Sequence, residues 1–278
     1  MSNNLKHILF ATDGSEFSAG AQRVAIDLAK RCEARLTVMS IVLSTQDLEG
    51  VGTHGLRAQM EREAQARIDA VVAAAGAAGV ACDTQLVYGE EPHHEIVNTA
   101  EELQPDLVVL GRRGKRGLAR LMVGHATAHV AGHAPCNVLM VPRAGQLWSQ
   151  RIVLATDGSA HSAAAAEAAR AVASQCRLPV TVVSATTRSH SAERKAEAQT
   201  AVDKVTAALK AAGVDCDGMV AEGRPDEVVI ETAAGTKADL IVVGSHGRTG
   251  LTRLFLGSIS ERIMGQAQCP VLVARAAG

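Results

Sequence analysis

The stretch His7-Ile8-Leu9-Phe10-Ala11-Thr12-Asp13-Gly14-Ser15 returns later in the chain as Arg151-Ile152-Val153-Leu154-Ala155-Thr156-Asp157-Gly158-Ser159. Each is a short apolar run that stops at Thr-Asp-Gly-Ser, the pattern of a buried strand ending in a polar turn. Two further matches follow in the same order: Ala78-Gly79-Val80 returns as Ala212-Gly213-Val214, and Asp106 to Gly111 returns as Asp239 to Gly244. An ordered set of matches along each half is the signature of a repeated domain rather than of one repeated motif. The 278 residues therefore divide into two domains of ordinary size, residues 1–145 and 149–278.

Each copy alternates strand and helix patterns. The first offers strands at His7 to Thr12, Arg35 to Val42, Cys82 to Tyr88, Leu107 to Leu110 and Asn137 to Val141. The second offers them at Ile152 to Thr156, Pro179 to Ser184, Asp217 to Ala221, Leu240 to Val243 and Val271 to Ala274. Runs such as Leu107-Val108-Val109-Leu110 are apolar throughout, as parallel strands covered on both faces must be. Alanine-rich amphipathic segments lie between them, at Ala19 to Arg31, Arg57 to Ala75, Glu95 to Leu103, Ala163 to Ser174, Ala192 to Lys210 and Asp226 to Ala234. Right-handed crossovers then give an α/β fold with two doubly wound, mostly parallel five-stranded Rossmann-like sheets of order 3-2-1-4-5. The joint falls at Arg143 to Gln150, and Ser44 to Gly55 reads as a surface loop longer than its counterpart Thr186 to Ser191.

Composition excludes several functions. Net charge is -1 and aromatics make up 2%, which argues against nucleic acid as a partner. Six single cysteines, without a C-x-x-C pair, read as buried free thiols of a cytoplasmic protein. The short polar start before His7 leaves no room for a signal peptide, and no apolar run suits membrane insertion.

In a sheet of this order the ligand crevice lies beyond the carboxyl ends of strands one and four. Asp13 and Asp157 end the first strands, and Gly111 and Gly244 end the fourth. The second copy continues from Val243-Gly244 through Ser245-His246-Gly247-Arg248 to Gly257-Ser258. Glycines after a buried strand let main-chain N–H groups face an anion, and a following helix start adds donors. Arg248 adds a cation to that loop.

With these residues the chain resembles a tandem member of the universal stress protein family. The nucleotide-binding members of that family carry G-x2-G-x9-G-[ST], matched by Gly244, Gly247, Gly257 and Ser258. The family's adenine-side aspartate matches Asp157, with Thr156 before it, and its base-pocket position after the second strand falls on Ala185. The first copy aligns Thr12, Asp13, Ile41, Gly111, Gly114 and Gly124, but His125 stands where the pattern has a hydroxyl. The resemblance implies ATP or a related adenine nucleotide, with magnesium as an accompanying ion, held mainly by the second copy. It also implies pairing of the domains through their fifth strands, which would otherwise be exposed sheet edges. A homodimer and an unidentified protein partner stay open. The expected role is an ATP-binding stress-response regulator; the alternative is an interaction protein of the same fold that works without nucleotide.

Other polar groups have blander readings. Arg112, Arg113, Lys115, Arg116 and Arg120 read as solvated charge, with a different anion as the alternative. His125, His129 and His133 recur every four residues, but one straight helix spreads them over about 12 Å, too far for one tetrahedral ion without ligands from elsewhere, so packing or a helix-end role is expected, with metal as the alternative. His93-His94 follows Pro92 in a turn that opens a helix, a structural role. Ser15 and Ser159 are expected as helix caps. His161 finds no carboxylate nearby in sequence, and G-x4-G-K-[ST] is missing, so a dedicated enzyme is not indicated and slow ATP hydrolysis would be incidental.

Overall fold

The computed structural model describes residues 5–44, 54–112, 123–248 and 256–276. In the first copy the strands are β1 (His7–Ala11), β2 (Arg35–Leu43), β3 (Cys82–Gly89), β4 (Leu107–Gly111) and β5 (Asn137–Val141). Its helices are α1 (Ala19–Cys32), α2 (His54–Ala77), α3 (Pro92–Leu103) and α4 (His125–His133). The second copy repeats the set as β6 (Ile152–Ala155), α5 (Ala160–Cys176), β7 (Val180–Thr186), α6 (Ala192–Ala211), β8 (Cys216–Glu222), α7 (Pro225–Gly235), β9 (Leu240–Gly244), α8 (Ser258–Gln266) and β10 (Val271–Ala274).

Within each half all strand pairs are parallel and the order is the expected 3-2-1-4-5. The two sheets are not separate. β5 and β10 pair antiparallel, Met140 opposite Val271, Leu139 opposite Leu272 and Val138 opposite Val273, so one ten-stranded mixed sheet runs through the chain. That pairing covers the two apolar edges that exposure would leave open to other chains. Because the seam is antiparallel, the carboxyl ends of the two halves point in opposite directions.

Side chains alternate across the sheet as the period of two requires. Ile8 and Phe10 of β1 enter a core packed beneath α1, α2, α5 and α6, while Leu9 and Ala11 enter the opposite one beneath α3, α4, α7 and α8. Each such fully buried large side chain contributes about 1.5 to 3 kcal/mol. Pro92 and Pro225 occupy the first turns of α3 and α7, where a missing N–H costs nothing.

The joint is held by a carboxylate. Asp239, just before β9, accepts main-chain N–H bonds from Ser149 (2.6 Å), Gln150 (2.9 Å) and Arg151 (3.1 Å). Asp106 does the same for Lys6 and His7 at 2.8 and 3.0 Å, so the repeated Asp at the foot of the fourth strand fixes the entry of the first. Trp148 is buried in the joint at 4% exposure. A small apolar cavity of about 60 Å³ adjoins it between the ends of α1 and α5.

Two expectations are adjusted. Gly55 belongs to α2, so the helix begins inside the stretch expected as loop, of which residues 45–53 lie outside the described residues. Of the six cysteines only Cys216 is buried and the other five are half-buried, and none forms a disulfide. Burial still pushes the Cys136 thiol up to about 12 and that of Cys269 to about 11, so both stay protonated.

Candidate functional site

At the carboxyl edge of the second half, β6 lies between β7 and β9. Thr156 is pinned there by its N–H to the Val183 carbonyl at 2.9 Å, and its hydroxyl accepts the Gly158 N–H at 3.4 Å. Gly158 turns with φ of +79°, a left-handed conformation that a side chain would resist. Ser159 then caps α5, its side chain accepting the Ser162 N–H at 3.2 Å. In the first copy Ser15 makes no such bond, because a tight turn at Glu16–Ser18 gives the Ser18 N–H to the Ser15 carbonyl at 3.0 Å instead.

Asp157 uses both carboxylate oxygens. Oδ1 accepts the Ser159 N–H at 2.9 Å, and Oδ2 accepts the Arg248 N–H at 2.8 Å. The second bond joins the strand-end aspartate to the glycine loop, residues 91 apart in sequence. The glycine eases this close approach: a Cβ on Gly247 would stand 3.0 Å from Asp157 Oδ2, so the carboxylate would have to shift. A Cβ on Gly244 would stand 2.7 Å from the His161 carbonyl, and one on Gly257 would stand 3.3 Å from His246 Cα. The three spaced glycines thus let loop, strand and α5 pack within backbone distance.

The donors left for an anion can be counted. Arg248 N–H is used by Asp157, and Gly257 N–H is used by the Ser245 carbonyl at 2.8 Å. The first N–H groups of α8 have no partner within the helix, and Ser258, its first residue, is exposed. Arg248 also ion-pairs with Glu197 of α6 at 2.8 Å. Ala185 sits half-buried on β7 beside this edge, whereas the Val243 side chain packs into the core at 2% exposure.

Sequence reasoning missed a polar group beneath the loop. Ser245 Oγ lies 3.3 Å from His161 Nδ1 and 3.1 Å from His246 Nδ1. The three residues come from two distant segments, and only the spacing of His161 after the Asp-Gly-Ser turn hinted that it would reach the crevice.

The first copy keeps the frame and changes the lining. Asp13 Oδ1 accepts the Ser15 N–H at 3.0 Å, and Gly124 N–H bonds the Arg112 carbonyl at 2.9 Å, as Gly257 does with Ser245. Gly14 turns with φ of +66°, and Ile41 lies half-buried on β2. His125 is the exposed first residue of α4. Gly114, Arg113, Lys115, Arg116 and Arg120 lie outside the described residues. Arg112 does not face solvent freely: its guanidinium reaches across the seam to the carbonyls of Gly265 and Ala267 at 3.2 and 3.0 Å. Arg275 returns the contact to the Gly132 carbonyl at 2.6 Å. A cleft of about 570 Å³ opens beside Thr12 and Gly14, walled by Glu63, Arg67 and Val71 of α2.

Five of the first copy's histidines meet, His93 and His94 from α3 with His125, His129 and His133 from α4. His93 packs against His129 with ring centroids 4.1 Å apart, and His133 stacks on His129 at 3.8 Å. Burial, then the neighbouring rings of His133, His93, His94 and His125, lowers the His129 pKa to about 4. His93 is lowered for the same first reason.

No helix among the described residues is long and apolar enough to cross a membrane. The profile of the universal stress protein family matches residues 4–142 and again 149–275. A universal stress protein of Methanocaldococcus jannaschii is 44% identical over 81 residues, 29% of this chain and 48% of that protein. One of Bacillus subtilis is 34% identical over 144 residues, 48% of this chain and 97% of that protein. The crystal structure of a universal stress protein from Archaeoglobus fulgidus superposes with a TM-score of 0.77 at 18% identity, covering 99% of this chain and 98% of that one, a likeness of fold.

Proposed function

Because the chain belongs to the universal stress protein family, with one family domain in each half, we propose that it is an ATP-binding stress-response regulator whose second half holds the nucleotide. The observation that carries this reading is the Asp157–Arg248 bond, which brings the strand-end carboxylate and the glycine loop to one crevice. Each Asp157 oxygen has lone-pair capacity beyond its one main-chain donor, suited to the amino group of an adenine. The free N–H groups at the start of α8 and the Ser258 hydroxyl suit phosphate oxygens. Phosphate oxygens held there would present magnesium with its usual ligands.

Regulation rather than turnover suits these residues. Ser245 Oγ lies within hydrogen-bond distance of both His161 and His246, while each Asp157 oxygen is engaged by a main-chain N–H. Nucleotide seated between Asp157 and α8 would bear on the glycine loop that begins at Gly244 and so change the surface offered to a partner. Six unpaired thiols suit the reducing cytosol. Equilibrium dialysis tests the reading: ATP retained at one equivalent per chain supports it. No retention of ATP, ADP or AMP at millimolar ligand, with or without magnesium, leaves the interaction protein that works without nucleotide.

A further inference from the structure

The α3–α4 contact of the first half and the α7–α8 contact of the second are the same contact in the repeat, yet they are built from different chemistry. Counting from Pro92 and Pro225, and from Gly124 and Gly257, His93 occupies the place of Asp226 and His129 that of Arg262. In the second half those residues form an ion pair, Arg262 Nε to Asp226 Oδ2 at 3.3 Å, with Arg224 adding a second cation to the same oxygen at 2.9 Å. Asp226 is fully buried, and the opposite charges neutralise the contact from within.

In the first half both partners are imidazoles. One ring nitrogen from each of His93, His94 and His129 lies within 4.8 Å of the others. His93 is buried, and Nδ1 of His129 is buried without a hydrogen-bond partner. Glu91 lies 3.3 Å from His93 Nε2 and 3.0 Å from His94 Nδ1, the carboxylate partnership that orients metal-ligating imidazoles. The helix spacing that dismisses His125, His129 and His133 as a site says nothing of rings arriving from α3. Only His129 of that series is needed, and His93 and His94 complete three.

We propose that His93, His94 and His129 bind one divalent transition cation of the zinc class, with Glu91 as the positioning residue and water completing the shell. Neutral imidazoles suit zinc, cobalt and nickel. A tetrahedral ion needs nitrogens about 3.4 Å apart, so the rings must close by at most about 1.4 Å, a shift that side-chain rotation of the imidazoles supplies. The cation supplies the positive charge that Arg262 supplies in the other half.

Untagged protein titrated with cobalt and then zinc, followed by calorimetry and by the visible spectrum of cobalt, decides the matter. The expected result is one cobalt per chain with the absorption of a tetrahedral nitrogen-ligated ion, displaced by zinc. The double variant H93D/H129R imports the ion pair of the second half, so it should fold and lose the site. Should it fail to fold by circular dichroism, H94A at an exposed position should weaken binding, and E91Q should weaken it roughly tenfold to a hundredfold. H190A, a histidine of the other half that bonds only the turn before α6, should leave metal binding unchanged. Absence of saturable cobalt or zinc binding in the wild type at micromolar metal overturns the proposal. So does unchanged binding in folded H93D/H129R or in H94A, which would assign the metal to scattered surface histidines. ATP binding is read separately, so failure here leaves the nucleotide reading untouched.

Discussion

The main-chain N–H of Arg248 donates to Asp157 Oδ2 at 2.8 Å, across 91 residues of sequence, and a side chain on the neighbouring Gly247 would press on the same carboxylate. A Cβ there would stand 3.0 Å from the same oxygen. G247V should therefore push the loop off Asp157. Loss of one hydrogen bond to a charged group costs about 1.5 to 3 kcal/mol, so ATP affinity by calorimetry should fall roughly ten- to a hundredfold while circular dichroism stays unchanged. Unaltered affinity would place the nucleotide elsewhere.

Ser258 and His125 hold the same position in the two halves, each the exposed first residue of a helix behind a glycine. S258A should weaken ATP by a similar ten- to hundredfold factor, and H125A should leave it within error. One site per chain that survives G257V but disappears with G124V would assign the working crevice to the first half.

Three consecutive N–H groups, from Ser149, Gln150 and Arg151, converge on the Asp239 carboxylate. D239A should destabilise the protein by about 1.5 to 3 kcal/mol. Trp148, buried in the same joint, reports the transition by its fluorescence in a urea titration. A midpoint identical to wild type would show that water replaces the carboxylate without cost.

The sign of the pH response follows from His129. In the unfolded chain it takes a proton near 6.5; in the fold, burial and the rings of His133, His93, His94 and His125 hold it at about 4. Between those values the unfolded chain binds more protons, so stability is full above pH 6.5 and falls as pH drops toward 4. His93, lowered as well, acts in the same direction, opposed by Glu91 beside it. With chelator present, urea midpoints at pH 7 and 5 should differ less in H129Q than in wild type. An equal difference would assign the acid sensitivity to other groups.

The strands were legible because buried parallel strands must be apolar throughout: Asn137–Val141 and Val271–Ala274 are read to the residue. The repeated Asp-Gly-Ser turn and the spaced glycines were legible because backbone geometry leaves them few substitutes. The fifth-strand pairing followed from the cost of an open edge, but its result, one sheet rather than two, is a property of both halves together. The groups that were not legible arise between segments. Nothing local in Pro92-His93-His94 announces His129, and nothing in His161 announces Ser245, since periodicity describes one element at a time and these contacts join two.

The antiparallel seam between β5 and β10 has one more consequence. Two identical chains meeting along such a seam would carry every substitution twice, once on each side of the axis. Here a short covalent tether makes the encounter intramolecular, with an effective concentration on the order of millimolar, so dilution does not part the halves. Released from symmetry, each half can change alone. Asp226 and Arg262 close one helix contact with their own charge while His93 and His129 leave the matching contact open to an ion, a division of labour that twofold-related copies of one chain could not maintain.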